Sequence, residues 1–124
     1  MTWCVKFELP GLPPTPNSVF AMHWAKKAKL TKGWRREAYL ACRAEGPAPK
    51  GIEKLRVCYT RWSSREPDSD GLAGSTKAIQ DGVTDWMRET NGGFDDTARQ
   101  LRAEWFWEKA PRGAGRVTVE IKRG

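Results

Sequence analysis

This 124-residue sequence contains two pairs of closely spaced aspartates that are candidates for a functional site. In the first pair, Asp68 and Asp70 are separated by one residue, so an extended backbone points both side chains the same way. Neighbouring carboxylates repel each other, and a cation such as Mg²⁺, which prefers oxygen ligands, keeps both ionised. The alternative for this segment alone is a solvated turn, because Asp, Ser and Gly are common turn residues.

The second acidic pair, Asp95 and Asp96, stands between two glycines and a predicted strand. Taken alone it fits a helix cap or a turn. A right-handed crossover could bring both pairs to one edge of a sheet, where three or four carboxylates would hold one or two divalent ions. We therefore take Asp68, Asp70, Asp95 and Asp96 as candidate metal ligands.

Lys77 lies in a predicted helix just after the first acidic pair, four residues before Asp81. An ammonium group beside a metal site can stabilise the charge that develops on a phosphoryl oxygen or a leaving alkoxide. The simpler alternative is an ordinary surface ion pair between residues four apart on a helix.

The net charge of +7 favours a polyanionic partner, and nucleic acid is the first candidate. Residues 20–65 hold 12 basic against 3 acidic side chains, a net of +9, whereas residues 66–108 hold 4 against 10, a net of −6. Carboxylates repel a phosphate backbone unless a divalent cation lies between them. The predicted phosphate contacts are the basic residues that open the positive stretch: Lys26, Lys27, Lys29, Lys32, Arg35 and Arg36. The alternative is a solvated helix face.

The length of 124 residues predicts a single domain, over residues 1–124, and hydrophobic periodicity predicts the element order β-α-β-α-β-β within it. Alternation predicts strands over 3–9, 54–62, 101–109 and 116–122, and helical spacing predicts helices over 31–45 and 72–88. The expected fold is an α/β or α+β domain with a mixed sheet, ending in an antiparallel hairpin.

Other features of the composition bear on location and on the aromatic side chains. No apolar run is long enough to span a membrane, and three widely spaced cysteines suit reduced thiols, so we expect a cytoplasmic protein. Of seven tryptophans, Trp24, Trp34 and Trp62 are the least determined by pattern. They could stack on exposed bases, although burial in the core is favoured.

Together these motifs resemble the RusA-type Holliday-junction resolvases, which are metal-dependent endonucleases. The resemblance rests on Asp68-Ser69-Asp70, on Lys77 and Asp81 in a K-x-x-x-D segment, and on Gly93-Phe94-Asp95-Asp96. The loop Pro13-Pro14-Thr15-Pro16-Asn17 and the final GRVTVEI strand are also similar to the family pattern.

The resemblance implies Mg²⁺, or alternatively Mn²⁺, held by Asp68, Asp70 and Asp96, with Lys77 as a catalytic lysine and Asp95 and Asp81 as supporting acids. It also implies a homodimer that cuts four-way DNA junctions symmetrically. Two other functions stay open: a non-catalytic, basic nucleic-acid-binding domain whose acids are caps and turns, and a nuclease for other branched DNA.

Overall fold

A computed structural model describes residues 3–15, 23–95, 97 and 99–124. Its strands are β1 (Cys4–Pro10), β2 (Leu55–Ser63), β3 (Leu101–Lys109) and β4 (Arg116–Arg123), and its helices are α1 (Trp24–Ala44), α2 (Ser69–Ser75) and α3 (Lys77–Thr90). The predicted α+β class with a mixed sheet is confirmed. Within these residues no helix combines the length and the apolar character needed to cross a bilayer.

The four strands form one open sheet in the order β1-β4-β2-β3. β2 and β3 are parallel, and β4 is antiparallel to both β1 and β2. The last two strands therefore run in opposite directions, but β2 separates them and they do not form the predicted hairpin. A central position suits β4, because Val117, Val119 and Ile121 are at most 1% exposed and need strands on both sides.

All the helices described cover one face of the sheet. The inward positions of β2 are buried from Leu55 to Ser63 at every second residue. Tyr59 on this face donates a hydrogen bond to Gln80 of α3, and Trp105 donates one to Thr76 at the start of α3. The opposite face carries ion pairs between neighbouring strands, such as Arg56 with Glu104 at 2.6 Å. That carboxylate accepts the Arg56 hydrogen bond, which lowers the pKa of Glu104.

The helix boundaries differ from the sequence predictions for local reasons. α1 begins seven residues before the predicted Thr31, because His23 caps it through Nδ1 and the Thr31 hydroxyl donates to a carbonyl within the helix. The predicted helix over 72–88 is instead two helices that share Thr76 as a cap. Hydroxyl groups at Ser75 and Thr76 bond to carbonyls three residues back, and such bonds compete with continuous helix geometry.

Helices α1 and α3 pack side by side and run in the same direction. Arg35 binds both carboxylate oxygens of Asp85 at 2.7 and 2.8 Å, and further along each helix Arg43 lies 3.5 Å from Glu89. The contact is close because Gly82 has no side chain. A Cβ atom there would lie 2.3 Å from the Arg35 carbonyl oxygen.

Replacing Gly82 with Ala should therefore destabilise the protein, although alanine is the better helix former. The backbone clash should outweigh the propensity gain of ~1 kcal/mol and leave a net loss of roughly 1–3 kcal/mol. Gly33→Ala is the matched control, because nothing lies within 4 Å of a Cβ at that helical glycine. Urea unfolding should show the first variant weakened and the second unchanged or strengthened; equal stabilities would contradict the close approach of the two helices.

Candidate functional site

The Asp68–Asp70 segment begins the helix pair α2–α3. Asp68 is the N-cap of α2, and its Oδ1 accepts a hydrogen bond from the Gly71 backbone N–H at 2.6 Å. Asp70 lies in the first turn, and both carboxylates are exposed. A Cβ at position 71 would lie 2.7 Å from that same Oδ1, so a larger residue there would require the Asp68 side chain to shift. One Asp68 oxygen thus serves the helix, while the other and both Asp70 oxygens face solvent or a ligand.

Lys77 is the first residue of α3 and is exposed. Its Nζ atom lies 3.0 Å from Oδ1 of Asp81, one turn further along. The predicted pair is thus formed. It sits on the same helix pair as Asp68 and Asp70, and the seven residues from Asp70 to Lys77 correspond to about two helical turns.

The parallel packing of α1 and α3 places the basic residues at this same end of the molecule. The first half of α1 lies beside the first half of α3, because Lys27, Thr31 and Trp34 line one cavity together with Lys77 and Asp81. All six predicted phosphate contacts are exposed: Lys26, Lys27, Lys29, Lys32, Arg35 and Arg36. Arg35 is engaged with Asp85, so the other five supply the cationic charge available to a ligand.

Asp95, the described member of the second acidic pair, lies at the opposite end. Asp95 is exposed, and its carboxylate is 3.3 Å from Nη2 of Arg88 near the end of α3. The backbone N–H of Asp95 donates to Gln100, just before β3. Asp96 lies outside the described residues.

The expected convergence of both acidic pairs within one chain is therefore not observed for Asp95. β2 and β3 are parallel, with Leu55 beside Leu101 and Ser63 beside Lys109. Asp68 follows the far end of β2, whereas Asp95 precedes the near end of β3, so the strand length of roughly 26 Å separates the two ends. In the part of the chain that is described, no three His, Cys, Asp or Glu side chains are grouped to hold a metal ion.

Arg61 is a residue that the sequence analysis missed. It occupies an inward position of β2, is 9% exposed, and donates through Nη1 to the Pro13 carbonyl at 2.7 Å. Its Nε atom has no hydrogen-bond partner within the described residues. Burial lowers the pKa of the guanidinium. The sequence did contain one indication of this burial. Arg61 continues the every-second-residue series of Leu55, Val57 and Tyr59, which form a buried strand face.

A cavity of about 350 Å³ lies between the Pro13–Pro14 segment, α1 and the α2–α3 junction. Its walls are mostly apolar and include Leu30, Trp34 and Ala78. Lys27, Lys77 and Asp81 also line it, so it is continuous with the lysine and acid pair at the start of α3.

Comparisons with known proteins do not assign a family. No family model matches the chain, and no curated protein matches it. Among solved structures, CetZ2 from Haloferax volcanii, in a GTPγS-bound protofilament, aligns with 12% identity and a TM-score of 0.35. The alignment covers 96% of this chain and 28% of that one, so the chain spans under a third of the neighbour's length.

The cap geometry predicts different outcomes for two substitutions of Asp68. Asn caps a helix as well as Asp does, so Asp68→Asn should leave the unfolding free energy within a few tenths of a kcal/mol. Asp68→Ala removes the bond to Gly71 N–H and should cost about 1 kcal/mol. Denaturant unfolding at neutral pH measures both, and equal losses in the two variants would contradict the cap.

Proposed function

We propose that the chain is a divalent-metal-dependent endodeoxyribonuclease of the RusA type, which acts on branched DNA such as four-way junctions. The observation that carries the proposal is the placement of Asp68, Asp70 and Lys77 at the same end of the molecule as the lysine-rich start of α1. Basic groups that hold phosphates thus adjoin carboxylates that suit a hard cation.

The donor chemistry of the exposed acidic pair fits Mg²⁺ or Mn²⁺. Asp70 offers both carboxylate oxygens and Asp68 offers the oxygen not used by Gly71. A bound divalent ion would lower the pKa of a water molecule and so supply the nucleophile. Lys77 would place its ammonium charge near the phosphate oxygens, where DNA would compete with Asp81 for it. The lysines of α1 would hold the backbone without reading bases.

A site that combines Asp95 with Asp68 and Asp70 requires two copies of the chain. Asp68 and Asp70 lie at one end of the β2–β3 pair and Asp95 at the other, so one chain does not supply both. In a two-fold dimer each end of one subunit can meet the opposite end of its partner, which generates two equivalent sites. Two such sites suit symmetric cutting of a junction.

A second candidate is a basic nucleic-acid-binding domain without catalytic activity. One specific observation favours it: Asp68 is a helix cap, so its carboxylate has a structural role that does not require a metal ion. It leaves unexplained why the Lys77–Asp81 pair lines the same cavity as Lys27 of α1. Comparing cleavage of four-way junctions, flaps and linear duplex separates it from a nuclease and identifies the preferred branch.

Asp70→Asn should abolish Mg²⁺-dependent cleavage and leave junction binding within about 2-fold, because it removes a metal ligand and no interaction within the fold. Cleavage of a labelled four-way junction and gel-shift affinity in the absence of metal are the two measurements. Cleavage that persists in the variant would reject the metal site.

Mixing variants shows whether the site is shared between two chains. Asp70→Asn and Asp96→Asn subunits should each be inactive alone, whereas co-refolded mixtures should regain about a quarter of the sites, since half of the dimers are mixed and each has one intact site. A mixture that stays inactive although both variants bind DNA would mean that each chain forms its own site.

The basic start of α1 should dominate the salt dependence of DNA binding. Replacing Lys26 and Lys29 with Ala should weaken binding and reduce the slope of log K against log salt by about 0.9 for each phosphate that the protein no longer neutralises. Lys50→Ala with Lys54→Ala is the matched control, because these lysines are exposed near the opposite end, at the start of β2. Equal slopes for the two pairs of substitutions would contradict α1 as the DNA-binding surface.

A further inference from the structure

The cavity beside Lys77 has the dimensions and chemistry of a site for one planar aromatic group. Its volume of about 350 Å³ lies at the small end of ligand pockets. Trp34 is half-buried and forms part of the wall, while Pro14 and Ala78 add apolar surface. Bases stack on aromatic side chains regardless of sequence, because every base has a π-face.

The wall formed by the proline segment is anchored to the sheet. Arg61 donates to the Pro13 carbonyl at 2.7 Å, and the backbone N–H of Gly11 donates to the Gly115 carbonyl at 3.0 Å. Pro13 itself is fully buried. A wall held in this way is preorganised, so a bound group loses less free energy to ordering of the protein.

The charges around the cavity suit a group linked to phosphate. Lys27 and Lys77 line it with Asp81, which leaves one net positive charge. Lys27 has no ion pair with any described residue. The ring would therefore enter an apolar space while the adjoining phosphate meets an ammonium group, which is the pattern of a nucleotide within a strand.

We propose that this cavity accepts one unpaired nucleobase of a DNA strand, which stacks on Trp34 while Lys27 and Lys77 contact the phosphates on either side. The proposal rests on the proposed function, since it names a part of the DNA that the same end of the molecule holds. A DNA flap supplies such bases in its unpaired strand. The hydroxyls of Thr31 and Ser75 already donate to backbone carbonyls, so the cavity offers little discrimination among bases.

The test compares DNA with and without the base, in EDTA so that no cleavage occurs. A duplex with one bulged adenine and the same duplex with an abasic bulge are titrated by fluorescence anisotropy. The unaltered protein should bind the bulged base at least about 10-fold more tightly than the abasic bulge, as expected for one stacked base. Equal affinities would overturn the proposal.

Thr31→Trp blocks the cavity from an exposed position on α1, so it should not disturb the core. It should reduce the preference for the base to less than about 2-fold, while Thr31→Ala retains it. Trp24→Ala is the aromatic control, because Trp24 is on the same helix but 75% exposed and outside the cavity. The proposal fails if Thr31→Trp keeps the preference, or if Trp24→Ala loses it as fully as Thr31→Trp does.

Failure here is distinguishable from failure of the proposed function. Asp70→Asn should keep the preference for the base, since Asp70 does not line the cavity. Junction cleavage in Mg²⁺ with no preference for the bulged base would leave the nuclease assignment standing and remove the base site. Preference for the bulged base without junction cleavage would support the base site and reject the nuclease assignment, so the protein would be a DNA-binding domain.

Discussion

The close contact between α1 and α3 at Gly82 is the constraint on which the candidate site depends. Only a glycine lets the α3 backbone approach the Arg35 carbonyl so closely, and the Arg35–Asp85 pair lies one turn further along. Together they fix the two helices in parallel. The lysine-rich start of α1 therefore lies beside the start of α3, where Lys77 follows the Asp68–Asp70 segment. A different relative direction of the helices would separate the lysines at the start of α1 from Lys77 and Asp81.

The parallel pairing of β2 with β3 keeps Asp95 apart from Asp68 and Asp70. The segment after one parallel strand and the segment before the next necessarily lie at opposite ends of the pair. Asp68 and Asp70 are therefore near the basic surface, whereas Asp95 pairs with Arg88 at the other end. Asp95 therefore does not lie beside Asp68 and Asp70 within one chain. A protein that only binds nucleic acid would not need Asp95 to lie near Asp68 and Asp70.

Arg61 connects the sheet to the cavity at an energetic cost. Burying a guanidinium whose Nε atom has no hydrogen-bond partner among the described residues costs free energy. The hydrogen bond from Arg61 to the Pro13 carbonyl fixes the proline segment, which lines the cavity together with Trp34. The free-energy cost of burying Arg61 thus comes with a preformed cavity wall. The cavity, Lys27 and the Lys77–Asp81 pair then form one continuous region, with apolar surface next to cationic charge.

Much of this protein was predictable from the sequence alone. Alternation predicted all four strands, with β3 matched at both ends, and helical spacing predicted helical structure within residues 31–45 and 72–88. These are local properties, because backbone periodicity and side-chain polarity are set by neighbouring residues. The tertiary structure alone decided that β4 inserts between β1 and β2, that Asp95 lies far from Asp68, and that Arg61 is buried. Strand order, helix direction and the partners of a buried charge depend on contacts between residues distant in sequence, and no local pattern encodes those contacts.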